Sequence, residues 1–274
     1  MGSLFSKEKS KKSFVKINDN YESLEDVKNA LKDSGLESSN LIIGIDYTKS
    51  NEWSGSKTWS PSLSLHHIGG EHLNPYQQVI SIIGKTLSYL DEDQLIPVFG
   101  FGDIITKGTS CFPFYNDIQT EGGGSHAKYC WQFEEVLKRY TEITPQVKMS
   151  GPTNFAPLIK EAIKIVKFTK DYHILIIITD GDVNSVKETS EAIVEASNYP
   201  ISIICIGVGD GPFELMEKFD DELPERRIDN FQFVNFAKIM SKSTDPSKQE
   251  ILFALYALME VPEQYKQFRK LNIL

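Results

Sequence analysis

Four stretches of the chain are apolar without alternating with polar positions: Leu41–Ile45, Leu95–Phe99, His173–Thr179 and Ile201–Ile206. A short unbroken apolar run between polar segments suits a parallel strand covered on both faces, because neither face then meets water. A fifth strand is predicted at Phe231–Val234. Helical segments fall between these runs, near residues 75–90, 130–142, 155–170 and 186–197. Strands alternating with helices imply right-handed crossovers and a parallel sheet flanked by helices, the α/β class.

Helical spacing continues at both ends. Leu24, Val27 and Leu31 predict a short amphipathic helix that ends near Gly35 and packs on the outside of the sheet. Ile251, Leu252, Leu255, Leu258 and Met259 predict one closing helix over 246–264. Residues 51–74, and 103–128 with Gly122, Gly123 and Gly124, follow neither period. They are expected to be long surface loops or small hairpins around the functional end of the sheet. Residues 1–20 are polar and lysine-rich and read as a flexible basic tail, leaving 21–274 as a single domain.

Composition narrows the function more than the fold. With 274 residues, 40% hydrophobic and 24% charged, the chain has the make-up of an ordinary globular protein with a sizeable core. Its net charge of -9 argues against a nucleic-acid partner, whose binding draws on Lys and Arg replacing counterions. Cys111, Cys130 and Cys205 form an odd set without close spacing, and Cys205 in an apolar run reads as a buried free thiol. That usage suggests a reducing, intracellular compartment. No apolar run approaches the roughly 20 residues that span a bilayer, and the N-terminus lacks the apolar core of a secretory signal.

The candidate chemistry sits at strand ends. Asp46-Tyr-Thr48-Lys-Ser50 follows the first strand, Ser150-Gly-Pro-Thr153-Asn opens a helical segment, and Thr179-Asp180-Gly181 closes a later strand. In a parallel sheet the strand C-termini share one edge, where α/β folds bind ligands, so Asp46 and Asp180 approach each other if their strands are neighbours. Two carboxylates with two or three hydroxyls form an all-oxygen set that suits a hard cation. Mg²⁺ is the first expectation, and Mn²⁺ and Ca²⁺ suit the same donors. A site short of carboxylates keeps exchangeable waters, one of which an Asp or Glu of a partner protein can replace.

Taken together, these segments resemble the metal-ion-dependent adhesion site of von Willebrand A domains, in the copine version with Thr in the middle position. Further copine-like landmarks are Gly44–Trp53, Ser64–His66, Asn74–Tyr76, Phe99–Gly102, Gly151–Pro157, Gly207–Gly209 and Asp229–Phe236, in the expected order over roughly residues 35–272. The resemblance implies a von Willebrand A or Rossmann-like three-layer α/β/α sandwich around a mainly parallel six-stranded sheet. It also implies direct coordination by Asp46, Ser50 and Thr153, with Thr48 and Asp180 acting directly or through water, and Gly181 keeping the turn open. Asn51–Trp53, Phe133–Leu137 and Gly209–Gly211 resemble plant-type RING ubiquitin ligases that carry a copine domain. No Cys/His zinc cluster stands in the sequence up to Leu274, and no calcium-dependent lipid-binding domains precede the core. The expectation is therefore a non-enzymatic interaction module, with an adaptor role in ubiquitination as the alternative.

Competing chemistries fit less well. A haloacid-dehalogenase-type phosphatase needs a second Asp two positions after the first, where Thr48 stands. Gly207-Val-Gly-Asp-Gly211 lacks the third-glycine spacing of a dinucleotide loop and reads as a close-packed turn. His66, His67 and His72 have no Cys beside them, and adjacent side chains on a strand point to opposite faces.

The N-terminus carries a separate signal. Met1-Gly2-Ser-Leu-Phe-Ser6 matches the myristoylation pattern with Gly2 as acceptor, and Lys7, Lys9, Lys11, Lys12 and Lys16 follow it. One acyl chain binds membranes marginally, so a basic cluster is a sensible second attachment to an anionic surface. The expected location is cytoplasmic and peripheral on the inner face of the plasma membrane, with a nuclear pool compatible.

Overall fold

The computed structural model describes residues 23–36, 39–87, 91, 93–115, 118–119, 125–126, 129–223 and 226–274. The tail, Gly2 and the lysine cluster lie outside the described residues. In chain order the elements are α1 (Leu24–Ser34), β1 (Asn40–Asp46), a 3-10 turn (Lys49–Glu52), α2 (Pro75–Leu87), β2 (Leu95–Ile96), β3 (Val98–Phe101), β4 (Cys111–Pro113), β5 (Ile118–Gln119), β6 (Ser125–His126), β7 (Cys130–Trp131) and α3 (Gln132–Ile143). Then follow α4 (Ala156–Thr169), β8 (His173–Thr179), α5 (Val186–Ala196), β9 (Ile201–Gly207), α6 (Glu214–Asp221), β10 (Phe231–Asn235), α7 (Phe236–Met240), α8 (Pro246–Leu258) and α9 (Val261–Lys270).

The main sheet has six strands in the order β10-β9-β8-β1-β3-β4, parallel except for β4 at one edge. Its unbroken apolar runs divide by pleat. Ile43, Ile45, Ile174, Ile176, Ile178, Ile204 and Ile206 face one core with α1, α2, α3, α8 and α9. Ile42, Leu175, Ile177, Ile203 and Cys205 face the other, with α4, α5 and α6. These alternate residues are buried to 1% exposure or less, which is why the runs are apolar apart from Ser202, whose buried hydroxyl pairs with that of Tyr172 at 2.6 Å. The result is a three-layer α/β/α sandwich. Among the described residues no helix is long and apolar enough to cross a membrane.

Several boundaries differ from the sequence expectation, each for a local reason. Pro97 has no N–H for a ladder and splits Leu95–Phe99 into β2, which pairs antiparallel with β7, and β3, which enters the main sheet. The helix expected over 246–264 is two, because the chain turns at Met259–Glu260 and Pro262 starts α9, where its missing N–H costs nothing. Residues 103–128 include β4, an edge strand of the main sheet as well as the β5–β6 pair. Residues 51–74 form a surface loop built of turns, as expected, but it is pinned to the core by Asn51, Leu65, His66 and Asn74, which are buried. Cys205 is a buried free cysteine, with Sγ 3.7 Å from Met216 Sδ.

Candidate metal centre

β1 and β8 are neighbours in register, Ile45 opposite Ile178, so the residues that follow emerge side by side at the C-terminal edge of the sheet. Asp46, fully buried, accepts the Thr48 N–H on Oδ1 at 2.8 Å and the Thr179 hydroxyl on Oδ2 at 2.6 Å. Ser50 donates to Asp180 Oδ1 at 3.0 Å, and its hydroxyl lies 3.1 Å from that of Thr48. Thr153 reaches the Thr48 hydroxyl at 3.4 Å. All five side chains predicted for the site are thus joined in one cluster of oxygen atoms.

Loop backbone holds them there. Thr48 and Ser150 form a parallel bridge, with Lys49 N–H donating to the Ser150 carbonyl at 2.7 Å, which brings the segment before α4 against the turn after β1. Thr153 N–H donates to Asn184 Oδ1 at 2.8 Å, and Asn184 N–H returns to the Thr153 carbonyl at 2.9 Å, tying that segment to the loop after Asp180. Gly102 (φ +82°) permits the close approach: a Cβ there would stand 2.4 Å from Thr48 Cγ2. Gly209 (φ +81°) does the same for Ser54, whose carbonyl a Cβ would meet at 2.6 Å, so Gly207–Gly211 is a close-packed turn. At Gly181 a Cβ would meet nothing nearer than 3.7 Å, so the turn after Asp180 has open space beside it.

Burial dominates the electrostatics. Loss of hydration, and then the facing Asp180 charge, push the Asp46 carboxyl up to about 7. Asp180 is also raised, chiefly by burial, against the lowering effect of hydrogen bonds from Ser54 and Ser50. No basic side chain contributes to either shift. Two buried carboxylates compensated only by hydroxyls and amides fit a divalent cation, whose charge would offset their mutual repulsion.

Beneath the cluster lies a network that the sequence reading missed. The His66 ring stacks between Tyr47 and Tyr76, at centroid distances of 4.6 and 4.0 Å. His66 Nε2 lies 2.7 Å from the Asp46 carbonyl, which can only accept, so Nε2 carries the proton and Nδ1 accepts the Tyr140 hydroxyl at 2.7 Å. Burial lowers the His66 pKa to about 3, which keeps it neutral. Asn51 donates to the Thr48 carbonyl at 3.0 Å and accepts the Tyr76 hydroxyl at 2.7 Å. Ser54 donates to Asp180 Oδ2 at 2.5 Å. Its place one helical turn after Ser50 was the available signal. His66 stood within the Ser64–His66 landmark, but nothing local tied it to Asp46. A cleft of about 510 Å³ lies elsewhere, between β3–β4 and α4, and no residue of the oxygen cluster lines it.

A three-layer α/β/α sandwich with this oxygen cluster at the C-terminal edge of β1 and β8 is a domain of the von Willebrand A type. The copine family pattern matches residues 64–274, and the chain belongs to the copine family. The chain is 50% identical to the E3 ubiquitin-protein ligase RGLG1 of Arabidopsis thaliana over 95% of its own length and 54% of that protein's. It is 48% identical to Copine family protein 2 of Caenorhabditis elegans, over 93% of this chain and 3% of that one. The chain thus spans little more than half the length of the ligase. Among solved structures, the TFIIH p34 N-terminal domain aligns at 12% identity with a TM-score of 0.46, over 81% of this chain and 98% of that one.

Proposed function

We propose that this edge of the sheet is a divalent-cation site through which the domain binds a carboxylate of another protein. The observation that carries the reading is the meeting of buried Asp46 and Asp180 with the hydroxyls of Thr48, Ser50 and Thr153, without a basic side chain among the causes of either shift. Asp46, Ser50 and Thr153 would hold the ion, Mg²⁺ first, with Thr48 and Asp180 directly or through water. The ion would supply an electrophilic centre for an Asp or Glu of the partner. The domain itself acts as a recognition module rather than an enzyme. The test is a pull-down from cell extract with wild type and Asp46→Ala, each in Mg²⁺ and in chelator. A protein retained only by wild type in Mg²⁺ is expected; the same proteins in all four conditions would refute the proposal.

A second reading is favoured by the 50% identity to a ubiquitin ligase. In it the domain recruits substrate or ligase for ubiquitination, and the protein captured in Mg²⁺ would then be a ligase or become ubiquitinated. Attachment through acylated Gly2 and Lys7–Lys16 to the cytoplasmic membrane face is proposed separately. Intact-mass measurement of eukaryotically expressed protein tests it, an unmodified Gly2 refuting the acylation.

A further inference from the structure

We infer that the metal-site edge carries an apolar and basic rim which selects a protein segment whose acidic residue is flanked by bulky apolar residues. This rests on the metal-dependent reading above and specifies its partner. Ile105 is 85% exposed, Trp53 59% and Ile104 43%. Their loops are the ones that build the site. Trp53 lies between Ser50 and Ser54, and its N–H bonds the Ser50 carbonyl at 2.9 Å. Ile104 follows Gly102, which abuts Thr48, and donates its N–H to the Lys148 carbonyl two residues before Ser150.

The outward isoleucines are held by design of the turn. The buried Asp103 carboxylate accepts the N–H groups of Ile105 at 3.2 Å and Thr106 at 2.9 Å. Each large apolar side chain left in water forgoes the favourable free energy of burial. Scattered single residues are ordinary, but a group on two loops beside one polar site marks a contact surface. Charge agrees on balance: Lys49, Lys107 and Lys148 stand on the same loops, against the exposed Glu52, and enter none of the ion pairs formed among the described residues. The Asp46 and Asp180 carboxylates are recessed, at 0% and 1% exposure. A partner must therefore bring an acidic group in past the exposed residues of these loops, which a projecting peptide side chain does and a flat lipid surface does not.

The test selects phage-displayed random peptides on the full chain, in Mg²⁺ and in chelator, alongside the double variant Trp53→Ser/Ile105→Ser. Both substituted side chains are exposed, and calorimetry with Mg²⁺ alone checks that metal affinity is unchanged. Wild type in Mg²⁺ is expected to enrich Asp or Glu beside Leu, Ile, Phe or Trp. The double variant should keep the acidic, Mg²⁺-dependent requirement and bind those peptides about tenfold more weakly, the loss expected for part of one buried side chain. Mg²⁺-dependent acidic peptides without apolar neighbours, or equal affinity for the double variant, would overturn the rim and leave the metal reading intact. Peptides indifferent to chelator would overturn the metal reading, and the inference with it. Rim-dependent capture of phosphatidylserine vesicles without peptide enrichment would assign the surface to a membrane and also overturn it.

Discussion

At the N-terminal ends of β1 and β8, Asn40 stands opposite His173; at their C-terminal ends, Asp46 stands beside Thr179 and Asp180. Both ends bury ionisable groups under the same desolvation, yet they answer it differently. His173, 2% exposed, places Nδ1 2.9 Å from the Asp171 carbonyl and is kept neutral by burial, while Asp91, bridged to Ser39 at the same end and 5% exposed, is pushed up to about 6 by burial and the Asp93 charge. Asp46 has its hydrogen bonds as well, but a second carboxylate faces it, and protonating both would leave acceptors arranged for ions without a charge. The first kind of end holds a single buried carboxyl, which one proton can neutralise. The second kind carries a standing cost that a bound cation would relieve.

The sharpest way to break this comparison is Asp46→Asn. It should reduce Mg²⁺ affinity at least about a hundredfold, beyond the loss typical of residues that only orient metal ligands. Thermal stability without metal should stay level or rise, since a buried charge facing Asp180 is removed. Calorimetry and melting curves in chelator check both. Retained Mg²⁺ binding, or a large loss of metal-free stability, would show that Asp46 is a structural group like His173.

Next in size is His66→Ala. It removes the shortest hydrogen bond of the Asp46 carbonyl and of the Tyr140 hydroxyl, leaving them the longer ones to Asn51, Tyr76 and Asn74, and opens space between Tyr47 and Tyr76. An unmade buried hydrogen bond costs about 1–3 kcal/mol and a cavity adds to it, so a loss of about 3 kcal/mol in denaturant unfolding is expected. Mg²⁺ affinity should fall as well, because the turn that carries Thr48 and Ser50 loses its anchor. Metal binding itself should stabilise wild type by about 2.7 kcal/mol at a hundredfold excess over Kd, and leave Asp46→Asn unmoved. A melting temperature indifferent to Mg²⁺ in both proteins would remove the distinction between the two ends.

How far this contrast could be read in advance depends on the range of each signal. β1, β8 and β9 were legible because a strand covered on both faces keeps its run almost wholly apolar, Ser202 being the internal exception in β9, and the site motifs because they follow such runs directly. β4 was not: three residues with a terminal proline, pairing antiparallel at the sheet edge, carry no period. α6 and α7 span eight and five residues, too short for helical spacing to stand out. His66 meets Tyr140 across 74 positions and Asp46 across 20, contacts that no local pattern encodes. The chemistry sits in short motifs, whereas the residues that aim it are assembled only by the fold.

The smallest effect is a difference in pH dependence between the two ends. Asp46 binds its proton more tightly in the folded than in the unfolded chain, so without metal the native state holds the extra proton between the ordinary value of 3.8 and about 7. Stability from this group is present below that window and lost as pH rises through it, with a slope of at most about 1.4 kcal/mol per pH unit. His173 has the opposite sign. Its folded pKa lies below the ordinary 6.5, so the unfolded chain takes up the proton first and stability falls as pH drops beneath that value. His173→Asn retains an N–H for the Asp171 carbonyl and should cost about 1 kcal/mol at neutral pH while reducing the acid-side decline, the rest of which comes from His66. Asp46→Asn should reduce the decline toward alkaline pH, as saturating Mg²⁺ should in wild type, and leave the smaller share that Asp91 contributes. Unfolding free energies measured in chelator from pH 4.5 to pH 8 separate the two, and identical profiles for both variants would mean that the ends bury their ionisable groups in the same way after all.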